Sequence, residues 1–184
     1  MTYFSRNKLR FWMAVLFGLS FTPVFASEYL TYHDGLVEYE RGNFSAAFAT
    51  FRRLADGGDV ASQSALAHMY VLGESVEQDY AAAAMWFRRA ANQGDAQAQF
   101  SLADLYLRGL GVAQSDVDAY MWFSLSAALA PQEEQKRLAL AHRGQIARQL
   151  SMTERAEGRQ RACGWWRKYR ATPPDASLGA CGAE

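Results

Sequence analysis

The chain has 184 residues, half of them apolar, so it can bury the core of a single domain. Its 19 Lys and Arg residues are balanced by 19 Asp and Glu residues. This balance argues against nucleic acid as a partner, because binding to nucleic acid needs a basic face.

The first 26 residues have the features of a secretory signal peptide. Basic residues at positions 6, 8 and 10 precede an apolar run over residues 11–21, and Ala26 stands at the expected cleavage site. The alternative is an uncleaved membrane anchor, but the apolar run is shorter than the roughly 20 residues that cross a bilayer. We therefore expect a periplasmic or secreted mature chain without stable membrane insertion.

A 35-residue pattern then occurs twice, 36 residues apart. Residues 58–92 and 94–128 are identical at 14 of 35 positions, and both contain a Met-Trp-Phe triplet. A repeat period of this size is typical of solenoids, in which each unit is one supersecondary element that buries its apolar face against its neighbours. Such stacks present extended binding surfaces, and a catalytic pocket is unusual in them.

Each copy of the pattern predicts two helices. In the first copy, apolar residues recur at helical spacing over residues 61–72, and Gly73 is expected to end this helix in the left-handed conformation. Asp79 is then expected to cap a second helix that continues to about Arg89. The second copy predicts the same order over residues 96–129.

A shorter unit precedes these two copies. Its Tyr39 and Gly42 match Tyr70 and Gly73, and the turn that follows is five residues shorter. We therefore expect the same helical hairpin with a tighter connection.

Beyond Pro131 the repeat pattern lapses, and two further helices are predicted. Pro131 suits a helix start, and one face of that helix is predicted to be lined by Leu138, His142, Ile146 and Leu150. Ser151 and Glu154 form a capping box that opens a last helix. We expect this pair to cap the solenoid with a polar outer face, because a terminal unit must remain soluble.

Both cysteines, Cys163 and Cys181, lie near the C-terminus. An even number of cysteines in an exported chain predicts a disulfide that ties the tail to the last helix. The alternative is two unpaired thiols. The C-x-x-C spacing of redox catalysis is absent.

The repeated residues resemble those of the Sel-1-like repeat family, a relative of the tetratricopeptide repeat. The positions that carry the resemblance are Leu66-Ala67, Tyr70, Gly73, Val76, Asp79-Tyr80, Ala83, Trp86-Phe87, Ala90-Ala91 and Gly94-Asp95. One departure is Ser75, which stands where the next repeat has Gly111. The resemblance implies an all-α fold, a right-handed α-solenoid of antiparallel helix hairpins with a C-terminal capping helix pair.

The chain accordingly divides into six segments. We predict a signal peptide over 1–26, a tetratricopeptide-like first hairpin over 27–59, Sel-1-like repeats over 60–95 and 96–131, capping helices over 132–170 and a tail over 171–184.

The resemblance also implies a candidate partner-binding surface, because the first helix of each hairpin lines the concave face in tetratricopeptide-like solenoids. The candidate residues are His33, Glu40, Arg41, Ser64, His68, Leu72, Phe100, Asp104 and Arg108. They differ from repeat to repeat while their neighbours repeat. A groove that recognises a specific partner has this pattern, and so does a neutral solvated face.

The sequence predicts neither a catalytic site nor a cofactor. The three histidines lack the spacing of metal ligands, no carboxylate pair stands out, and the repeated aromatic residues are expected in the core. The resemblance implies a non-catalytic protein-interaction module or adaptor in the bacterial cell envelope, with an unidentified protein partner. The alternatives are an envelope hydrolase of β-lactamase-like or cell-wall type and a glycan-binding module that uses exposed aromatic residues.

Overall fold

The computed structural model describes residues 30–170. The predicted signal peptide, its cleavage site, the tail and Cys181 lie outside the described residues. Within residues 30–170 the chain forms eight α-helices and no strand: α1 Tyr32–Glu40, α2 Phe44–Asp56, α3 Val60–Leu72, α4 Tyr80–Asn92, α5 Ala96–Arg108, α6 Asp116–Leu129, α7 Glu133–Ala147 and α8 Met152–Tyr169.

Local signals start and end the repeated helices, and the predicted end at Gly73 and cap at Asp79 are among them. The side chains of Asp59 and Asp95 cap α3 and α5 by accepting hydrogen bonds from backbone N–H groups of the first turn. Gly73 and Gly109 end the same helices with φ of 73° and 66°, in the left-handed region. Asp79 caps α4 by accepting from two backbone N–H groups, both at 2.9 Å.

Each helix packs against the next one in sequence from α1 to α7. The repeated residues form the core between them: Phe51, Phe87 and Phe123 occupy equivalent positions and are at most 1% exposed. Leu66 and Leu102 are fully buried in the same way. The predicted all-α repeat solenoid is therefore confirmed for the part of the chain that the structure describes.

Helix α7 differs from its predicted orientation at one residue. Leu138 was expected to share the inward face with Ile146, but its side chain is 44% exposed. Ala139 takes the inward position and is fully buried. Residue 139 lies seven residues before Ile146, which is close to two full helical turns, so it shares the inward face more closely than residue 138 does.

The last helix packs against α6 and extends back to the end of α4. Its Trp165 donates from Nε1 to Oδ1 of Asn92 at 3.0 Å. Arg170, directly after the helix, donates to the carbonyl oxygen of Gln93 at 3.3 Å. Helix α6 thus contacts α5, α7 and α8, and for this reason every residue from 119 to 127 is buried.

None of the eight helices in residues 30–170 has both the length and the apolar character to cross a membrane.

Candidate partner-binding groove

Eight of the nine predicted partner-binding residues lie on the first helices of the three hairpins, and the ninth directly follows one of them. His33 and Glu40 lie on α1, with Arg41 directly after it. The other six lie on α3 and α5: Ser64, His68, Leu72, Phe100, Asp104 and Arg108.

Four of the nine residues line one pocket with a volume of about 240 Å3: His68, Phe100, Asp104 and Arg108. The pocket is open to solvent and lies between α3 and α5. The other five predicted residues do not line it. Ser64 is nearly buried, whereas Leu72 is 59% exposed, so the structure does not bring all nine into one site.

Aromatic rings form the inner part of this pocket. The ring of His68 packs edge-on against Phe87, with 4.8 Å between ring centroids. Phe100 packs in the same manner against Phe123 at 5.0 Å. Edge-to-face contacts of this kind hold rings in fixed orientations. The walls of the pocket are therefore already ordered before any partner binds.

His68 contributes a neutral ring to these walls. Burial lowers the pKa of the His68 imidazole, and the negative charge of Asp95 opposes this effect only in part. Desolvation disfavours the charged form of a histidine. The side chain is therefore uncharged at neutral pH and acts as an aromatic surface with polar edges.

Polar side chains stand at the rim of the pocket. Nη1 of Arg108 donates to Oδ2 of Asp104 at 3.2 Å, and both side chains remain well exposed. An exposed pair of this kind is worth less than about 1 kcal/mol, so a partner can replace it at little cost. Gln97 and Ser101, on the same helix, add further hydrogen-bonding groups.

Sequence reasoning missed several residues of this site. Tyr80 and Phe87 come from α4, the second helix of its hairpin, and Leu110 comes from the turn after α5. Phe87 repeats as Phe123 and is predicted to be core, which hid its contribution to the pocket. Tyr80 does not repeat, because residue 116 is aspartate, and it lies on α4, outside the predicted binding face. No signal in the sequence marked Leu110, because a turn residue acquires its neighbours only through packing.

Three observations in the described residues concern the alternative functions and the predicted disulfide. No group of three or more His, Cys, Asp or Glu residues within residues 30–170 is placed to hold a metal ion. The four tryptophans in this range, Trp86, Trp122, Trp165 and Trp166, are buried, so none of them presents a face on which a sugar could stack. Cys163 is buried on α8, and its predicted disulfide stays a prediction because Cys181 lies outside the described residues.

Comparisons with known proteins agree with this architecture. The model of the Sel1 repeat family matches residues 60–95 and 96–131. A solved protective antigen present in uropathogenic Escherichia coli strains, which displays an SLR fold, is 25% identical with a TM-score of 0.69, over 83% of this chain and 32% of that one. A solved Sel1 repeat protein from Oxalobacter formigenes is 24% identical with a TM-score of 0.57, over 81% and 56%.

The chain therefore spans about a third of the first of these proteins and just over half of the second. A search of the curated proteins found no match.

Proposed function

We propose that the chain, which contains two Sel1 repeats, acts as a non-catalytic protein-interaction module or adaptor in the bacterial cell envelope. Sel1-repeat proteins generally mediate protein–protein interactions. In this chain the partner binds along the face formed by α1, α3 and α5, with the pocket between α3 and α5 as its centre.

One observation carries this proposal. Many of the residues that repeat are buried, among them Ala67 and Ala103, which are both fully buried. Ten of the eleven residues that line the open pocket do not repeat; for example, His68 on α3 stands where α5 has Asp104. On α3 and α5, the buried residues that hold the hairpins together are thus largely different from the residues that line the pocket. Variable residues around a preformed concavity suit the recognition of one partner.

The cell-envelope setting rests on the N-terminal sequence. The basic, apolar and small-residue segments of residues 1–26 are those of a secretory signal peptide. Protein sequencing of the N-terminus of the protein expressed in bacteria tests this point, and we expect it to begin at Ser27. A retained N-terminus in the cytosolic fraction would contradict the envelope assignment.

The interaction function can be tested by affinity capture. Residues 27–184 would be immobilised and exposed to a bacterial envelope extract, and bound proteins would be identified and then purified for titration. We expect a stoichiometric protein partner whose affinity falls at least about tenfold when His68, Phe100, Asp104 and Arg108 are all changed to alanine, a loss of about 1.4 kcal/mol.

A matched control keeps this test specific. Arg53, Met85 and Arg159 are exposed residues of α2, α4 and α8, outside the pocket. Changing these three to alanine should leave the affinity unchanged. Equal losses in both variants, with folding intact by circular dichroism, would refute the assignment of the binding face.

A further inference from the structure

The size and lining of the pocket between α3 and α5 indicate what kind of group it takes. At about 240 Å3 it is smaller than the roughly 300–1,000 Å3 of pockets that hold drug-sized ligands. It has room for one large side chain. Interfaces commonly concentrate their binding energy in such anchors, most often tryptophan, tyrosine or arginine.

The walls favour an aromatic anchor over a charged one. The imidazole of His68 and the ring of Phe100 form two sides, and Val71, Leu105 and Leu110 complete the apolar lining. A ring entering here can make edge-to-face contacts with both aromatic walls, which are worth about 0.5–1.5 kcal/mol beyond the buried area.

The rim favours an aromatic side chain that carries a hydrogen-bond donor. The carboxylate of Asp104 and the hydroxyl oxygen of Ser101 stand at the pocket, as does the side-chain oxygen of Gln97, which already accepts from Gln135 at 3.0 Å. Their acceptors can satisfy an indole N–H or a phenol O–H, which phenylalanine lacks. A buried donor left without an acceptor would cost about 1–3 kcal/mol. The acceptors remove this cost for tryptophan or tyrosine, and the hydrogen bond they accept is one that phenylalanine cannot make.

The face around the pocket carries an excess of negative charge. Arg41 and Arg108, at the ends of α1 and α5, are already paired with Glu38 and Asp104. Helix α7 contacts the pocket residues Gln97 and Phe100, and its Lys136 and Arg137 are paired with Glu133 and Glu134. Glu40, Asp59 and Asp95 have no ion pair within residues 30–170.

The charges of Asp59 and Asp95 reach into this face. Both raise the pKa of the Tyr32 hydroxyl, after the larger effect of its burial, and Asp95 also acts on His68. The helix dipoles at the N-termini of α3 and α5 offset only about half a charge at each cap. The field over the groove is therefore negative, and it attracts cations.

We infer that the pocket receives a tryptophan or tyrosine side chain from a cationic segment of a partner protein. This inference rests on the proposed interaction function and specifies its chemistry. The aromatic side chain fills the space between His68 and Phe100 and donates to the rim. Lysine or arginine residues on either side of it in the partner lie near Glu40, Asp59 and Asp95.

The test uses synthetic heptapeptides and the protein over residues 27–184. One peptide has a central tryptophan with two lysines on each side, the second has glutamates in place of the lysines, and the third has alanine in place of the tryptophan. Binding would be followed by two-dimensional NMR of the 15N-labelled protein at low salt. We expect the cationic tryptophan peptide to bind about tenfold more tightly than either of the others, with shifts centred on His68, Phe100 and Ser101.

Two variants separate the anchor from the charge. Ser101→Trp places a ring in the pocket and should abolish binding of the cationic tryptophan peptide, whereas Gln145→Trp, at an exposed position of α7, should not. The double change Asp59→Asn and Asp95→Asn keeps both caps, because asparagine caps helices as well as aspartate does. The double change removes two negative charges. It should therefore reduce severalfold the ratio of the affinity for the lysine-flanked peptide to that for the glutamate-flanked peptide.

The inference would be overturned by equal binding of the tryptophan and alanine peptides, by equal binding of lysine and glutamate flanks, or by persistence of binding in Ser101→Trp. A competition experiment distinguishes failure of this inference from failure of the proposed interaction function. A captured protein partner that the cationic peptide does not displace would leave the interaction function in place and refute the aromatic anchor.

Discussion

The side-chain amide of Gln93 donates a hydrogen bond to Oε1 of Gln63 at 2.9 Å. Gln63 in turn donates from Nε2 to the carbonyl oxygen of Ala55 at 3.2 Å, near the end of α2. The last four carbonyls of a helix have no partner within it. The two glutamines therefore satisfy one helix end and link two successive hairpins.

This chain of hydrogen bonds is broken in the next repeat. Gln99, 36 residues after Gln63, makes the equivalent bond to the carbonyl oxygen of Ala91 at 3.0 Å. Leu129 stands 36 residues after Gln93 and has no amide to donate. As a result Oε1 of the fully buried Gln99 has no hydrogen-bond partner among the described residues.

We predict that a glutamine at position 129 restores the missing bond. Leu129→Gln should be more stable than Leu129→Ala by about 1 kcal/mol, because both lose the leucine contacts but only glutamine supplies a donor to Gln99. Urea denaturation followed by circular dichroism measures the difference. Equal stability of the two variants would show that Gln99 is satisfied in another way.

The turn after α3 offers a second prediction. Ser75 adopts φ of 67°, in the left-handed region that favours glycine, and the equivalent residue of the next repeat is Gly111 with φ of 66°. Ser75→Gly should raise the free energy of unfolding by up to about 1 kcal/mol, because it relieves this strain. The loss of the bond from Ser75 Oγ to Ser45 Oγ, 2.9 Å between exposed side chains, offsets part of the gain.

The reverse change at Gly111 provides the comparison. A Cβ atom there would collide with the backbone of Tyr80 and Ala81, so Gly111→Ala combines strain with overpacking. We expect a loss of at least about 2 kcal/mol. Melting temperatures of the two variants should therefore move in opposite directions, and a shared direction would contradict this account of the turns.

The repeat units were predictable from the sequence because their signals are local. Asp59 and Gly73 determine the ends of α3 through capping and left-handed backbone, which depend on a few neighbouring residues. The identical positions of the two repeats marked the core for a related reason, since each unit meets its neighbours in the same way.

The path of α8 was not predictable in this way. The bond from Trp165 to Asn92 joins residues 73 positions apart and has no counterpart in another repeat. The pocket was also not predictable in full, because its residues come from α3, α4, α5 and the turn after α5. The sequence located four of its residues through their lack of repetition. Its other residues depend on how the hairpins stack.

The approach of α8 to α6 depends on Gly158. A Cβ atom at this position would lie 2.7 Å from Cδ1 of Tyr120 and 3.3 Å from the carbonyl oxygen of Val117. Gly158→Ala should therefore cost about 1–3 kcal/mol through overpacking, although alanine favours a helix.

Gly164 on the same helix is the matched control. A Cβ atom there would meet nothing within 4 Å. Gly164→Ala should thus stabilise the protein by about 0.5–1 kcal/mol through helix propensity alone. Thermal unfolding of both variants gives the comparison. A stabilising effect of Gly158→Ala would mean that α8 does not lie as close to α6 as the structure shows.

The last prediction concerns pH and His68. Burial lowers the pKa of this histidine in the folded protein, so between the folded value and the unfolded value of about 6.5 the unfolded chain binds more protons. The contribution of His68 to stability is therefore intact above about pH 6.5 and declines as the pH falls below it. The charged groups nearest to it are Asp95, which moderates the shift, and the Asp104–Arg108 pair at the rim. His68→Gln, which does not titrate, should lose less stability between pH 7 and 5 than the unmodified protein, as measured by urea denaturation at each pH.

His33→Gln, at an exposed position of α1, serves as the control and should retain the full pH dependence. An identical decline in the His68→Gln variant would place the acid sensitivity of this protein outside the pocket.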